Sequence, residues 1–194
     1  MPPTQRRRAD AERNIATILD AARDLFARGA NPSMSDIAAA AGVGRVTLYG
    51  HFPSRGALIE AVLDRAITDT AETFTAMNLD TDPADTALNR LIRTSWPILD
   101  RHRRLRTVAI SELGPERLRE HHAPALDHVE RLIARGQDEH RFRTDLSLDW
   151  LVATCYAILH AAADEVDAGT LSSTAAPSVL TTTILGLLGA KPAD

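Results

Sequence analysis

The sequence predicts an all-α fold of about nine helices, a small N-terminal domain followed by a larger one. Three observations carry that reading. Apolar residues recur at helical spacing through nearly all of the 194 residues, sustained alternation of apolar and polar residues is absent, and aromatics make up only 4%. Apolar content of 44% and charged content of 25% are ordinary for a globular protein. A chain of this length buries a core without staples.

The first stripe, Ile15, Ile18, Leu19, Ala22, Leu25 and Phe26, predicts a helix from about Ala11 to Arg28, stopped by Gly29. Ser33-Met-Ser-Asp36 reads as a capping box, with Ser33 accepting backbone N–H bonds and Asp36 answering from the third position. It opens a short helix ending at Ala41. Gly42-Val43 turns the chain into a second short helix, from about Gly44 to His51. Pro53-Ser54 starts a long helix with Leu58, Ile59, Val62, Leu63, Ala66 and Ile67 on one face. Asp82-Pro83-Ala84-Asp85 sets a cap, a first-turn proline and an acid before another helix, which carries Leu88, Leu91, Ile92, Trp96 and Leu99 and should kink at Pro97. Shorter helices are expected around Leu105 to Leu113 and from Pro115 to His122, then a longer one from about Pro124 to His140. Ser147 to Asp167 is the most apolar helix, and Pro177 to Leu188 the last.

Residues 33–52 bear most directly on function. Two short helices joined at a glycine make a helix-turn-helix only if certain positions are small or apolar. Ala38 must let the helices approach, Gly42 must free the turn, and Ile37, Ala41, Val43 and Leu48 must fill the wedge. All are filled suitably. The second helix would then lie in a DNA major groove and present Arg45, Val46, Thr47, Tyr49 and Gly50. Charge distribution agrees. The net charge is −4, but residues 1–55 hold eight arginines against five acids, a net +3, which leaves −7 on the remainder.

The run from Ser33 to Val62, with Ile37-Ala38, Ala41-Gly42-Val43, Leu48-Tyr49, Phe52 and Ser54-Arg55, resembles the DNA-binding domain of TetR-family regulators over residues 11–65. The resemblance implies a three-helix DNA-binding domain over residues 1–53, with an N-terminal arm over 1–10. Residues 54–194 would form a helical ligand-binding and dimerisation domain. It implies a homodimer on pseudo-palindromic operator DNA, and repression relieved by a small organic ligand. Residues alone do not separate an activator from a repressor. Ser33 stands at the cap that also touches phosphate, with Ser35 beside it. Tyr49 and His51 stand at DNA-backbone positions, and Arg55 replaces a phosphate-reaching lysine. Arg45 is the expected base reader, since a guanidinium engages a guanine edge with two bonds. Gly44 departs from the usual Ser or Thr cap, and Gly50 from a larger polar residue. Arg6, Arg7 and Arg8 are either a minor-groove arm or a solvated tail.

In the larger domain, Leu151, Cys155, Ile158, Leu180, Ile184 and Leu187 are the expected dimer contacts, because a helix with so little polar face is buried on more than one side. The alternative is that both helices build the core of one chain. Trp96, His102, Trp150, Tyr156 and His160 are the expected ligand-pocket residues, polar-tipped groups among apolar helices. Each is otherwise ordinary core or surface.

Other classes have little support. Without a glycine-rich phosphate loop, nucleophile elbow or paired metal ligands, no catalytic residue, cofactor or metal is expected. Adjacent His121 and His122 would point about 100° apart on a helix, so with His128 they make a poor metal set. A scaffold binding only protein is the remaining rival, separated by salt-sensitive DNA binding. Cys155 is the single cysteine, which excludes an internal disulfide and fits a reducing compartment. With neither a signal-peptide pattern nor an apolar run of about 18 residues, a cytoplasmic protein without membrane contact is expected.

Overall fold

The computed structural model describes residues 3–28 and 31–189, with the backbone alone for residues 3–9. Among these residues it contains nine α-helices, one 3-10 turn at Leu79–Thr81, and no strand. They are α1 (Pro3–Ala27), α2 (Met34–Ala40), α3 (Arg45–His51), α4 (Arg55–Ala76), α5 (Ala84–Leu113), α6 (Pro115–His121), α7 (Ala123–Asp138), α8 (Leu148–Asp167) and α9 (Ala176–Leu187).

Two helices differ from expectation. The first, α1, begins at Pro3, well before Ala11. Proline suits a first turn, and Gln5, the arginines and Ala9 are good helix formers. Arg6, Arg7 and Arg8 therefore sit in a helical backbone and not on an extended arm; their side chains, like Gly29, lie outside the described residues. The second, α5, runs unbroken through Pro97 to Leu113 and absorbs the separate helix expected around Leu105. After Pro97 neither glycine nor a second proline occurs before Gly114, and the arginines, leucines and alanine between them favour the helix.

The chain forms two compact units. The first gathers residues up to Ala66 together with His102–His121, and so extends beyond residue 53. Its buried side chains include Ile18 and Phe26 of α1, Ile37 of α2, Leu48 of α3, Leu58 and Ile59 of α4, and Leu118 of α6. The first half of α4 joins this unit, its apolar face starting with Leu58 three residues after the helix N-terminus.

The second unit comprises Ile67–Arg101 and the residues from His122 onward. Its core draws on Leu88, Leu91, Ile92 and Trp96 of α5, Leu132 and Ile133 of α7, Leu151, Val152 and Cys155 of α8, and Leu180 and Ile184 of α9. The start of α5 is held differently from expectation. Ala84 N–H donates to Glu139 Oε2 at 2.9 Å, while the Asp82 carboxylate pairs with Arg90 at 2.9 Å.

This core takes up residues expected at the dimer face. Leu151, Cys155, Leu180 and Ile184 are buried within their own chain, and Ile158 and Leu187 are half-buried against the same core. An apolar helix offers several similar faces, and the one carrying Leu151 and Cys155 went inward. What α8 and α9 leave open is a flatter surface: Trp150 at 59% exposure, Ala157, Ala161, Val179 at 46%, and Gly186.

Candidate nucleic-acid interface

The start of α2 is closed by the expected capping box. Asp36 N–H donates to Ser33 Oγ at 3.2 Å, and Ser33 N–H donates to Asp36 Oδ2 at 2.8 Å. Ser33 Oγ–H donates to the same carboxylate at 2.7 Å. These bonds hold the Asp36 carboxyl below its usual range. Ser33 remains exposed, with Ser35 half-buried in the first turn of the helix.

Gly42 takes φ +66°, the left-handed conformation that glycine adopts without penalty. The turn it makes lets Val43 N–H donate to Ala38 O at 3.0 Å. Ile37, Ala38 and Leu48 are buried in the wedge between α2 and α3. Ala38 is buried there, so a larger side chain would have to displace its neighbours.

On α3 the outward residues are Arg45, Val46, Tyr49 and Gly50, with Thr47 and His51 half-buried. Val46 is 88% exposed, so it contributes nothing to the packing of its own chain. Its methyl groups suit contact with a thymine methyl in a major groove. Gly44 caps α3 with φ −69° and ψ 148° and has no side chain to accept a bond, as expected from its identity. Phe52, buried, ends the helix, and Ser54 Oγ accepts from Ala57 N–H at 3.1 Å to open α4.

Arg55, for which the resemblance implies a phosphate contact, has three partners within the chain. Its Nε donates to Glu112 Oε1 at 2.9 Å, Nη1 to Pro32 O, and Nη2 to Asn31 Oδ1. The guanidinium lies 5.7 Å from the centroid of the Phe26 ring. Its side chain is 24% exposed. Sequence reasoning missed Glu112, Asn31 and Phe26, because a partner 57 residues away leaves no periodic signal. Further contacts lace α4 to α6: Glu60 with Arg117 at 3.0 Å and with His121 at 3.8 Å, and Asp64 with His121.

The expected pocket residues are not gathered in one place. Trp150 is on the surface, and His102 is half-buried in the first unit. Trp96 is buried, with its indole N–H donating to Ser173 O at 2.9 Å. Tyr156 and His160 do come together, with ring centroids 4.3 Å apart. His122 joins them edge-on, 5.4 Å from Tyr156 and 5.3 Å from His160. Among the described residues no cluster of three or more His, Cys, Asp or Glu could hold a metal ion. No helix among them is long and apolar enough to cross a membrane.

Residues 18–62 match the family model described as bacterial regulatory proteins, tetR family. A helix-turn-helix-type transcriptional regulator of Staphylococcus aureus is 42% identical over 66 residues, 32% of this chain and 35% of that one. The helix-turn-helix-type transcriptional repressor LfrR of Mycolicibacterium smegmatis is 37% identical over 84 residues, 43% of this chain and 44% of that one. Both matches span less than half of the relative's length. The crystal structure of LfrR in complex with proflavine shares the fold with a TM-score of 0.69 at 21% identity, covering 89% of this chain and 94% of that one. FadR from Bacillus subtilis in complex with stearoyl-CoA does so with a TM-score of 0.71 at 18% identity, covering 89% and 96%. The family match falls on the helices whose geometry presents Val46 and Tyr49, and the likeness in fold extends over most of the chain: residues 18–62 match the tetR family of bacterial regulatory proteins, and the chain as a whole shares the fold of solved TetR-like regulators.

Proposed function

We propose that this regulator is a cytoplasmic repressor that binds pseudo-palindromic operator DNA as a homodimer and leaves it when a small organic molecule binds the second unit. The observation that carries the proposal is the outward face of α3, where Val46 and Tyr49 stand exposed on a helix whose angle is fixed by the Gly42 turn. Arg45, Val46, Thr47 and Gly50 face base edges in this reading. Ser33, Ser35, Gly44, Tyr49 and His51 meet the phosphate backbone.

Two-fold pairing places two copies of α3 on successive half-sites. The open face of α8 and α9, with Trp150, Ala157, Ala161, Val179 and Gly186, is the surface for it. Small residues there allow close helix approach, and Trp150 and Val179 supply exposed apolar area that a partner would cover.

For the ligand, the cluster of His122, Tyr156 and His160 offers ring edges and polar tips inside an apolar unit. That LfrR and FadR have been crystallised with proflavine and stearoyl-CoA supports an organic ligand with a large apolar part. Such a ligand can release DNA only through a difference in its affinity for the DNA-bound and free conformations. Operator DNA must weaken ligand binding by the same factor, typically about 5–150-fold.

The test is selection from a random double-stranded DNA pool with purified protein, followed by a reporter driven through the recovered sequence. The proposal expects a symmetric motif, reporter repression and salt-sensitive binding. Recovery of no enriched motif sinks it. Tyr156→Ala should blunt release by any compound that displaces the protein, while leaving compound-free DNA affinity unchanged.

A further inference from the structure

In many proteins an arginine beside a DNA-binding helix serves as a phosphate contact, and the resemblance assigns that role to Arg55. The geometry around it argues otherwise. Each of the three guanidinium nitrogens has an acceptor within the chain: Glu112, Pro32 O and Asn31 Oδ1. The flat face of the group rests near Phe26, the last buried residue of α1. Four parts of the first unit thus meet at one side chain: the end of α1, residues 31–32 leading into α2, the start of α4, and the last turn of α5. The backbones approach closely here too, since a Cβ on Gly56 would lie 3.8 Å from Leu113 Cδ2.

We propose that Arg55 and Glu112 are positioning residues for DNA recognition. The pair is a strut that fixes the segment leading into α2, and Arg55 acts on DNA through that segment, not through a phosphate. Ser33 follows Pro32 directly, and it is both the α2 cap and an exposed member of the proposed phosphate-facing set. Holding Asn31 and Pro32 therefore sets where the α2 cap stands. Glu112 orients the guanidinium and balances its charge, so that the remaining nitrogens reach the two loop acceptors. Lysine could not replace Arg55 in this role, because a single ammonium on a flexible stem cannot present a planar fork to three acceptors. It could replace a phosphate contact, where only a positive charge is needed.

The inference rests on the DNA-binding reading for its effect on recognition, and the strut itself is tested apart from DNA. In the free protein, Glu112→Gln should speed amide hydrogen exchange at residues 33–37 and leave α8 and α9 unchanged. Unchanged exchange at residues 33–37 overturns the strut. The second arm uses the DNA sequence that the wild-type protein selects from a random pool. Glu112→Gln and Arg55→Lys should each bind it about three- to tenfold more weakly at fixed salt. The slope of affinity against salt should not change, because no phosphate contact is lost. The opposite outcome is equally clear. If Glu112→Gln binds more tightly with a slope steeper by about 0.9, it has freed Arg55 to meet a phosphate, and the proposal is wrong. Wild-type affinity and slope in Arg55→Lys overturn it as well. If the wild-type protein enriches no DNA sequence, the functional reading fails, while amide exchange still decides the strut.

Discussion

A Cβ atom built on Gly136 would lie 2.0 Å from Cδ2 of Phe142 and 2.3 Å from its Cε2. The Phe142 ring therefore rests on a stretch of α7 that has no side chain. The chain reverses here through His140 at φ +57°, and Arg141 and Phe142 both donate their N–H to Gly136 O at 2.9 Å. Phe142 is buried in the core of the second unit. In an exposed helix Gly→Ala would stabilise by about 1 kcal/mol. Here the methyl displaces a buried ring, and Gly136→Ala should destabilise by roughly 1–3 kcal/mol in urea unfolding. A more stable variant would mean that the ring moves aside freely.

The inward and outward faces of α8 and α9 separate two substitutions that the sequence makes look alike. Ile184 is buried and Val179 is half exposed, one turn and a fraction apart on the same helix. Ile184→Glu should unfold the second unit, because it strands a carboxylate in the core. Val179→Glu should leave helicity and melting temperature nearly unchanged and yield a monomer in light scattering. Emission from Trp150, 59% exposed in one chain, should shift to the blue as wild-type protein is concentrated and the pair forms. A dimer that survives Val179→Glu combined with Trp150→Ala places the interface elsewhere.

These two pairs of residues also mark what the sequence could and could not disclose. Local chemistry was legible: the Ser33–Asp36 box, the Gly42 turn, the wedge at Ala38 and Leu48, and the missing cap at Gly44 all appear as read. Each depends on residues within a few positions of one another. The facing of α8 was not legible, because a helix apolar on most sides gives no phase to its burial. The environment of Arg55 was hidden for a different reason, since its partners come from α1, from the segment before α2 and from α5. The early start of α1 was hidden by a cluster of arginines that reads as a tail until their helix propensity is weighed.

Sequence discrimination should fall on Arg45 and backbone affinity on Tyr49. Arg45→Ala should cost about 1–3 kcal/mol at one base pair of each half-site and relax choice there. Tyr49→Phe should weaken binding to all sequences by a similar factor, since its hydroxyl is assigned to a phosphate. Competition binding against a panel of single-base variants distinguishes the two patterns. Unaltered discrimination in Arg45→Ala would move base reading to Thr47 or Val46.

Burial in the α8 core pushes the Cys155 thiol up to about 12 from an ordinary 9.0. A raised value means that the folded state prefers the protonated thiol. The associated stability is fully present below about pH 9 and is lost as pH rises from there toward 12. Wild-type protein should therefore lose more stability over that alkaline range than Cys155→Ala does. At pH 8 a thiol reagent should leave the native protein unlabelled and react fully in denaturant. Rapid native labelling would show that α8 opens far more readily than its burial implies.

Gly50 is the residue on α3 whose identity the fold least explains. It is exposed, and a Cβ there would meet nothing within 4 Å. Its conformation is helical, so the chain gains no turn from it and gives up helix propensity by keeping it. Gly50→Ala should stabilise the free protein by roughly 0.5–1 kcal/mol. The position lies four residues after Val46, hence on the same helix face, one turn further along. That face is low in relief, a valine and a bare backbone, and it is the face assigned to the groove. A methyl at Gly50 would hold the helix away from the bases, so Gly50→Ala should weaken binding to the selected DNA by about 1 kcal/mol, roughly fivefold. Thermal unfolding and DNA titration of the same preparation read the two effects separately. A variant that is more stable and binds as tightly as the wild type would show that the groove lies against a different edge of α3, one led by Arg45 and Tyr49.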